Sequence, residues 1–306
     1  MTKVYIDGSY GTTGLAIKNR LTGIEEYEIV ELDYENRKDL NARIEAGNSA
    51  DIVITCLPNE ATKEIAPHIT VPLIDTSTEF RTQWVYGFPE AGLREEIKFA
   101  DRIANPGCHA TGFLAITVPL RKAGIIKEDE ILSCTSITGY SGGGVKMIEE
   151  YENQSSKDYT LPRPYALGLT HKHLPEMKKI ANLQHNPIFV PMVANNYSGM
   201  CVSVPLKVKE SKEIIKNIFK DFYKDDKLVH ISENNHPAIN ESGFLNPFYK
   251  QNYDDIDIII EGNEDGEIVV YALFDNLGKG AAGSAIQCLN LRCGNDEFLG
   301  LRREVK

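Results

Sequence analysis

Paired cysteines, long apolar runs and a basic excess are all missing from this 306-residue sequence. Its six cysteines (Cys56, Cys108, Cys134, Cys201, Cys288, Cys293) include no C-x-x-C pair and no metal-finger spacing, so neither a disulfide framework nor a structural metal is expected. No stretch reaches the ~18–20 consecutive apolar residues of a membrane helix, and Met1-Thr2-Lys3 leads straight into a strand-like run without a signal-peptide core. The expected compartment is the cytoplasm. Thirty-three basic against forty-four acidic residues give a net charge of −11, which excludes nucleic acid and anionic membrane as partners and obliges any anionic ligand to find its own cationic pocket. Internal repeats and low-complexity linkers are also lacking. What is present is a globular composition, 42% hydrophobic and 25% charged. The length exceeds the ~250–300 residues at which one core stops growing, so two domains or one elaborated α/β domain are expected.

The pattern along the chain divides in two. Lys3 to Asp7 reads as a strand, Gly8-Ser9-Tyr10-Gly11-Thr12-Thr13-Gly14 as a glycine-rich turn, and Leu15 to Leu21 as a helix. A strand at Glu28–Leu32, a helix around Lys38 to Ala46 and the apolar run Ile52–Leu57 complete a βαβαβ order, which implies a parallel sheet. Asn59 to Ile65 and Leu73 to Asp75 add a helix and a strand. After Asn105-Pro106-Gly107 the pattern changes to longer strands (131–138, 188–192, 200–208, 256–261, 268–274) with helices at 210–223 and 281–291. The expected fold class is α/β: a Rossmann-type dinucleotide-binding domain at 1–107, completed by a C-terminal helical segment at 278–306, and an α+β catalytic and dimerisation domain with a mixed sheet at 108–277.

Six segments carry chemistry. The turn spacing G-x-x-G-x-x-G is one residue wider at its start than the dinucleotide fingerprint, but it follows a strand and opens a helix, where free N–H groups and the positive dipole end hold a pyrophosphate. Glu31 and Asp33 could bind a ribose hydroxyl, and Arg37 and Lys38 a 2′-phosphate. Cys108 stands at the start of a helix after a chain turn, a position that favours thiolate and hence nucleophilicity. His171 and His173 in Thr170-His171-Lys172-His173-Leu174-Pro175-Glu176 are natural proton partners for a thiol in acyl transfer, with metal ligation as the rival reading. Ser141 to Gly144 beside Lys146 is a turn that lets backbone approach a ligand, and Arg81 in Asp75–Arg81 suits an anionic group.

Seven segments of the chain, GSYGTTG, DTSTEFR, YGFPE, NPGCHATG, GYSGGGVK, PYALGLTHKHLPEM and DNLGKGAAG, occur in an order and at separations that resemble the short form of N-acetyl-γ-glutamyl-phosphate reductase, from the glycine turn to Gln287. Aspartate-semialdehyde dehydrogenase shares the architecture, the cysteine and a similar closing segment, but THKHLPE and YGFPE favour the first family. The resemblance implies an NADP-dependent enzyme of arginine biosynthesis that reduces an acyl phosphate to a semialdehyde, with Cys108 as nucleophile and the block of His171, His173 and Glu176 supplying acid/base and substrate contacts. It places Arg81 and Tyr165 near substrate, and at the position where the short form commonly reads GGGKK it leaves Lys146 as the cation beside Val145. Cofactor contacts are implied at Gly8, Tyr10, Gly11, Thr12, Thr13, Gly14, Arg37, Lys38, Asn276, Lys279 and Gly280. A small-molecule acyl phosphate and a second copy of the chain, in a dimer or tetramer, are the implied partners. Between the two histidines, His171 is the expected proton-transfer group and His173 the expected substrate contact.

Overall fold

Val4, Tyr5 and Ile6 alternate between two apolar layers, and this requires the strand that holds them to be covered on both faces. In the computed structural model, which describes residues 1–153 and 156–304, that strand is β1 (Thr2–Asp7). It lies inside a six-stranded, wholly parallel sheet ordered β2-β1-β3-β4-β6-β5, with β2 Tyr27–Val30, β3 Ile52–Thr55, β4 Leu73–Asp75, β5 Val85–Tyr86 and β6 Arg102–Ala104. Val4, Ile6, Ile52 and Ile54 pack into one core and Tyr5 and Val53 into the other. Helices α1 (Thr12–Leu21), α2 (Leu40–Ser49), α3 (Asn59–Ile65) and α4 (Arg94–Phe99) lie between the strands in sequence. The second strand ends at Val30 rather than Leu32. The helix expected from Lys38 starts at Leu40, because the Asp39 carboxylate caps it by accepting from Ala42 N at 2.8 Å. Since β1 has β2 on one side and β3 on the other, the order reverses just past its carboxyl end, where α/β sheets bind ligands.

The second unit opens with α5 (Cys108–Lys122), whose residues from His109 to Leu120 are all buried. It lies close against a seven-stranded mixed sheet ordered β11-β12-β13-β10-β7-β9-β8. A Cβ on Gly112 would come within 2.5 Å of Val202, so only glycine permits the approach. The strands are β7 Ser133–Gly139, β8 Arg163–Pro164, β9 Ile188–Ala194, β10 Met200–Lys207, β11 Val229–Ile231, β12 Ile256–Gly262 and β13 Glu267–Phe274. Helices α6 (Gly144–Asn153), α7 (Leu174–Ile180) and α8 (Lys212–Phe222) complete the unit.

The chain then returns to the first unit through α9 (Gly283–Cys293), whose Ala285, Ile286, Cys288 and Leu289 enter the core beside β1 and β3. The return begins at Ala281 rather than 278 and ends at Leu301 rather than 306. Residues 278–280 stay with the second unit because Gly280 N bonds Asp275 O at 2.9 Å. Arg302 to Glu304 rejoin it because the Arg302 and Glu304 N–H groups donate to Asp254 and Asp255, each at 2.7 Å. Among the described residues no helix is long and apolar enough to cross a membrane.

Candidate active site

The first unit carries a cradle for a dinucleotide. Gly8 adopts φ +90°, and a Cβ there would stand 2.4 Å from Cys56 O; one on Gly14 would stand 2.3 Å from Gly8 O. The turn can therefore fold back on itself only with glycine at both places. Gly11 is the N-cap of α1 and offers no side chain, so the N–H groups that follow, at Thr12, Thr13 and Gly14, begin the helix without a side-chain cap. Beside the turn lies a cavity of about 220 Å³ lined by Asp7, Gly8, Ser9, Tyr10, Arg37 and Lys38, among others. Asp7 would repel an anion there, but Arg43 grips both its carboxylate oxygens at 2.9–3.1 Å. At the rim the Arg37 guanidinium lies 3.4 Å over the Tyr34 ring, which meets Tyr10 edge-on at 5.0 Å. Glu31 is occupied by Lys18 at 2.8 Å, so the acid closest to the end of β2 is neutralised while Arg37 and Lys38 line the cavity. The residues present fit a nicotinamide dinucleotide.

The second unit carries the thiol. Cys108 is the first residue of α5 and is half-buried. The other thiols are disposed differently: Cys134, Cys201 and Cys288 are buried, and burial pushes Cys56 up to about 12, Cys201 to about 12 and Cys293 to about 11. The Cys108 sulfur and one ring nitrogen each of His109 and His173 lie within 4.8 Å of one another. His109 Nδ1 is 2.7 Å from Ser136 Oγ and its Nε2 is 2.7 Å from the Tyr165 hydroxyl. Burial, with His171 and Lys172 nearby, holds His109 well below the usual imidazole range, so the ring is neutral. Burial and the adjacent Cys108 push the Tyr165 phenol above its ordinary value. His171 Nδ1 accepts the His173 N–H at 3.2 Å, and the rings of His171, His173, His109 and Phe189 pack at 4.7–5.4 Å.

The expected site residues fall in three groups. Cys108, His173 and Tyr165 converge around His109, and the His171 ring packs against those of His109 and His173; His173 shares a group with the sulfur and His109. Glu176 is buried in the first turn of α7, and Lys146 is exposed on α6. Arg81 is buried and donates to Asn105 O at 2.9 Å and to Thr76 O at 3.2 Å, bracing the chain three residues before Cys108. Asn276, Lys279 and Gly280 lie in the second unit rather than with the glycine turn. The Asn276 amide holds Gly199 N at 2.9 Å and Ser141 Oγ at 3.0 Å, Lys279 is fully buried, and Gly280 backs Cys108 so closely that a Cβ would fall 2.8 Å from the Cys108 Cβ. Sequence reasoning passed over His109 and Ser136. The signal for both was a polar residue at a core position: His109 beside Cys108 on a largely apolar helix, and Ser136 at a buried register of an alternating strand.

Comparison with known proteins identifies both units. Residues 3–100 match the family of semialdehyde dehydrogenase NAD-binding domains, and residues 108–276 the semialdehyde dehydrogenase dimerisation domain. N-acetyl-gamma-glutamyl-phosphate reductase 2 of Nostoc sp. is 37% identical over 98% of this chain and 99% of its own length, and the reductase of Brucella anthropi is 37% identical over 95% and 98%. Among solved structures, aspartate semialdehyde dehydrogenase II of Vibrio cholerae superposes with a TM-score of 0.72 at 18% identity over 96% of this chain and 99% of that one. The Candida albicans enzyme with NADP gives 0.64 at 14% identity over 95% and 98%. At such identities the likeness is one of fold, whereas the full-length relatives identify the lineage: the chain belongs to the N-acetyl-γ-glutamyl-phosphate reductase family, built from the two semialdehyde dehydrogenase domains.

Proposed function

We propose that this chain reduces N-acetyl-γ-glutamyl phosphate to N-acetylglutamate semialdehyde and phosphate, a step of arginine biosynthesis, with NADPH as reductant. The reaction class rests on one observation: a half-buried thiol at the start of a fifteen-residue helix, with an imidazole of His173 in its immediate group. The substrate rests on the full-length relatives. His173 takes the Cys108 proton, and the helix start favours the thiolate. The sulfur attacks the acyl carbon, a C–S bond forms, and the C–O bond to phosphate breaks with its electron pair leaving on phosphate. When bound, the reduced nicotinamide supplies the hydride that takes the thioester to the aldehyde level. The C–S bond then breaks as the carbonyl reforms, and Cys108 returns to the thiolate. In the first unit Arg37 and Lys38 meet the 2′-phosphate and the uncapped start of α1 the pyrophosphate.

Arg81, Glu176 and Lys146 are the remaining substrate-side candidates. Arg81 acts by holding Asn105 in place, and Lys146 offers an exposed cation for an anionic group. The enzyme works in the cytoplasm as a dimer or tetramer formed through the second unit. The dimerisation-domain match and the exposed Ile188 and Val190 on one face of β9 support that assembly. In the reverse direction, phosphate-dependent NADP reduction should be faster with N-acetylglutamate semialdehyde than with aspartate semialdehyde. Cys108→Ser should lower it by at least on the order of 10³ while leaving NADPH affinity intact. A preference for aspartate semialdehyde, or substantial activity in the serine variant, would overturn the substrate or the thioester respectively.

A further inference from the structure

We propose that His109 and Ser136 are positioning residues that make Tyr165 a hydrogen-bond donor to the acyl oxygen of the Cys108 adduct, an inference that rests on the thioester reading above. The argument begins with proton counting. A neutral imidazole carries one N–H and one lone pair, and both His109 nitrogens face hydroxyls at 2.7 Å, so the Ser136–His109–Tyr165 chain must run in one direction or the other. Ser136 is wholly buried in β7, and among the described residues its hydroxyl has His109 as hydrogen-bond partner. Were the ring proton on Nδ1, Ser136 would accept it and its own O–H would point into a dry interior with no acceptor, a costly arrangement. With the proton on Nε2 every group is satisfied: Ser136 O–H donates to Nδ1, and Nε2–H donates to the Tyr165 oxygen.

That direction has a consequence at Cys108. Because the Tyr165 oxygen already accepts from His109, its hydrogen is left to turn outward. Tyr165 is half-buried, stands where the charge of Cys108 acts on its phenol, and holds its proton across the working pH range. The acceptor that comes into being there is the carbonyl oxygen of the group bound to the sulfur, which gains negative charge at the tetrahedral stage. A donor fixed before the charge develops stabilises that stage more than the ground state. The reverse orientation would spend the phenol hydrogen on His109 and present only lone pairs to the oxyanion.

Amide side chains separate the two bonds of His109, since an asparagine amide falls near the position of Nδ1 and a glutamine amide near Nε2. Tyr165→Phe should lower kcat by on the order of 10²–10³, with KM and the NADPH dissociation constant within twofold. His109→Asn should fall with it, His109→Gln should recover most of the loss, and His109→Asn combined with Tyr165→Phe should be no slower than Tyr165→Phe alone. Alkylation of Cys108 by iodoacetamide should keep its wild-type rate and pH dependence in all four, which separates positioning from misfolding. If His109→Asn misfolds, Ser136→Ala carries the test: it should lower kcat several-fold with Tyr165 present and not at all in the Tyr165→Phe background. Tyr165→Phe turning over within threefold of the parent, equal rates for the asparagine and glutamine variants, or multiplicative losses in the double variant would each overturn the inference. Failure of the underlying function looks different: the parent enzyme itself would then reduce no NADP with either semialdehyde.

Discussion

A thiol attacks an acyl carbon only after losing its proton, and the group that takes the proton must reach the sulfur. His173 meets that condition through its membership of the group within 4.8 Å of Cys108 Sγ. The Nδ1 lone pair of His171 is engaged by the His173 N–H, which makes His173 the better placed of the two to act as base. His173→Asn should therefore lower the chemical step by a factor on the order of 10²–10⁴ and remove the acid-side limb of the pH–rate profile, while His171→Asn keeps the limb. Single-turnover kinetics across pH decide the matter, and a limb that vanishes with His171 instead would return the role to that residue. Cys108 itself was legible because its neighbours in sequence, Asn-Pro-Gly before it and a helical pattern after it, already specify a helix start. The choice between two histidines two residues apart was not legible, since it depends on how the short turn before α7 directs each ring, and no periodicity records that.

At the level of elements, the strand, turn and helix at the start of the first unit and the long strands of the second were readable because each spans enough residues to show its period. β5 and β8 have two residues each, and α7 has seven with Pro175 in its first turn, too few for a pattern to emerge. YGFPE stands out in the sequence for a reason of packing: Glu90 is buried and accepts from Gln287 of α9 at 2.7 Å. Within the closing segment DNLGKG, Asp275 organises its own turn by accepting from Leu277 and Gly278, and Gly280 presses on the start of α5. Gly280→Ala would drive a methyl to 2.8 Å from the Cys108 Cβ, closer than carbon atoms tolerate, so either the helix start or the loop must shift. A displacement of that kind should cut kcat by about 10–100-fold with NADPH affinity within twofold, since misplacing a reacting group by about 1 Å can cost ~10². Loss of NADPH binding with chemistry preserved would show that Gly280 serves the cofactor instead.

Across the whole molecule, 44 acidic against 33 basic residues make the placing of each buried charge consequential. The first unit is discontinuous in sequence, and the return of the chain through α9 was visible as a helical pattern. The end of that return at Leu301 was not visible, because the residues that hold Arg302 to Glu304 lie some fifty positions earlier. There Lys250, almost wholly buried, meets Glu304 at 2.9 Å and Asp255 and Asp257 at 3.4 Å each. Burial opposes the charge on both Lys250 and Asp255, but their partners outweigh it: His230, the Glu304 N–H and Lys250 hold the Asp255 carboxyl below its usual range, and Asp257, Glu304 and Asp255 raise Lys250 above its own. An acid with a depressed folded-state pKa adds stability at pH values above its unfolded pKa, about 3.9, and loses it as the pH falls through the folded value. Asp255→Asn should accordingly lower stability by about 1.5–3 kcal/mol near neutral pH, since Lys250 loses one carboxylate and keeps Glu304 and Asp257. The gap to the parent should narrow steadily below about pH 4, as the parent's own Asp255 becomes protonated. Urea midpoints followed from neutrality into acid measure both quantities, and a gap that stays constant with pH would show that this carboxylate is not held in its charged form by the cluster around the tail.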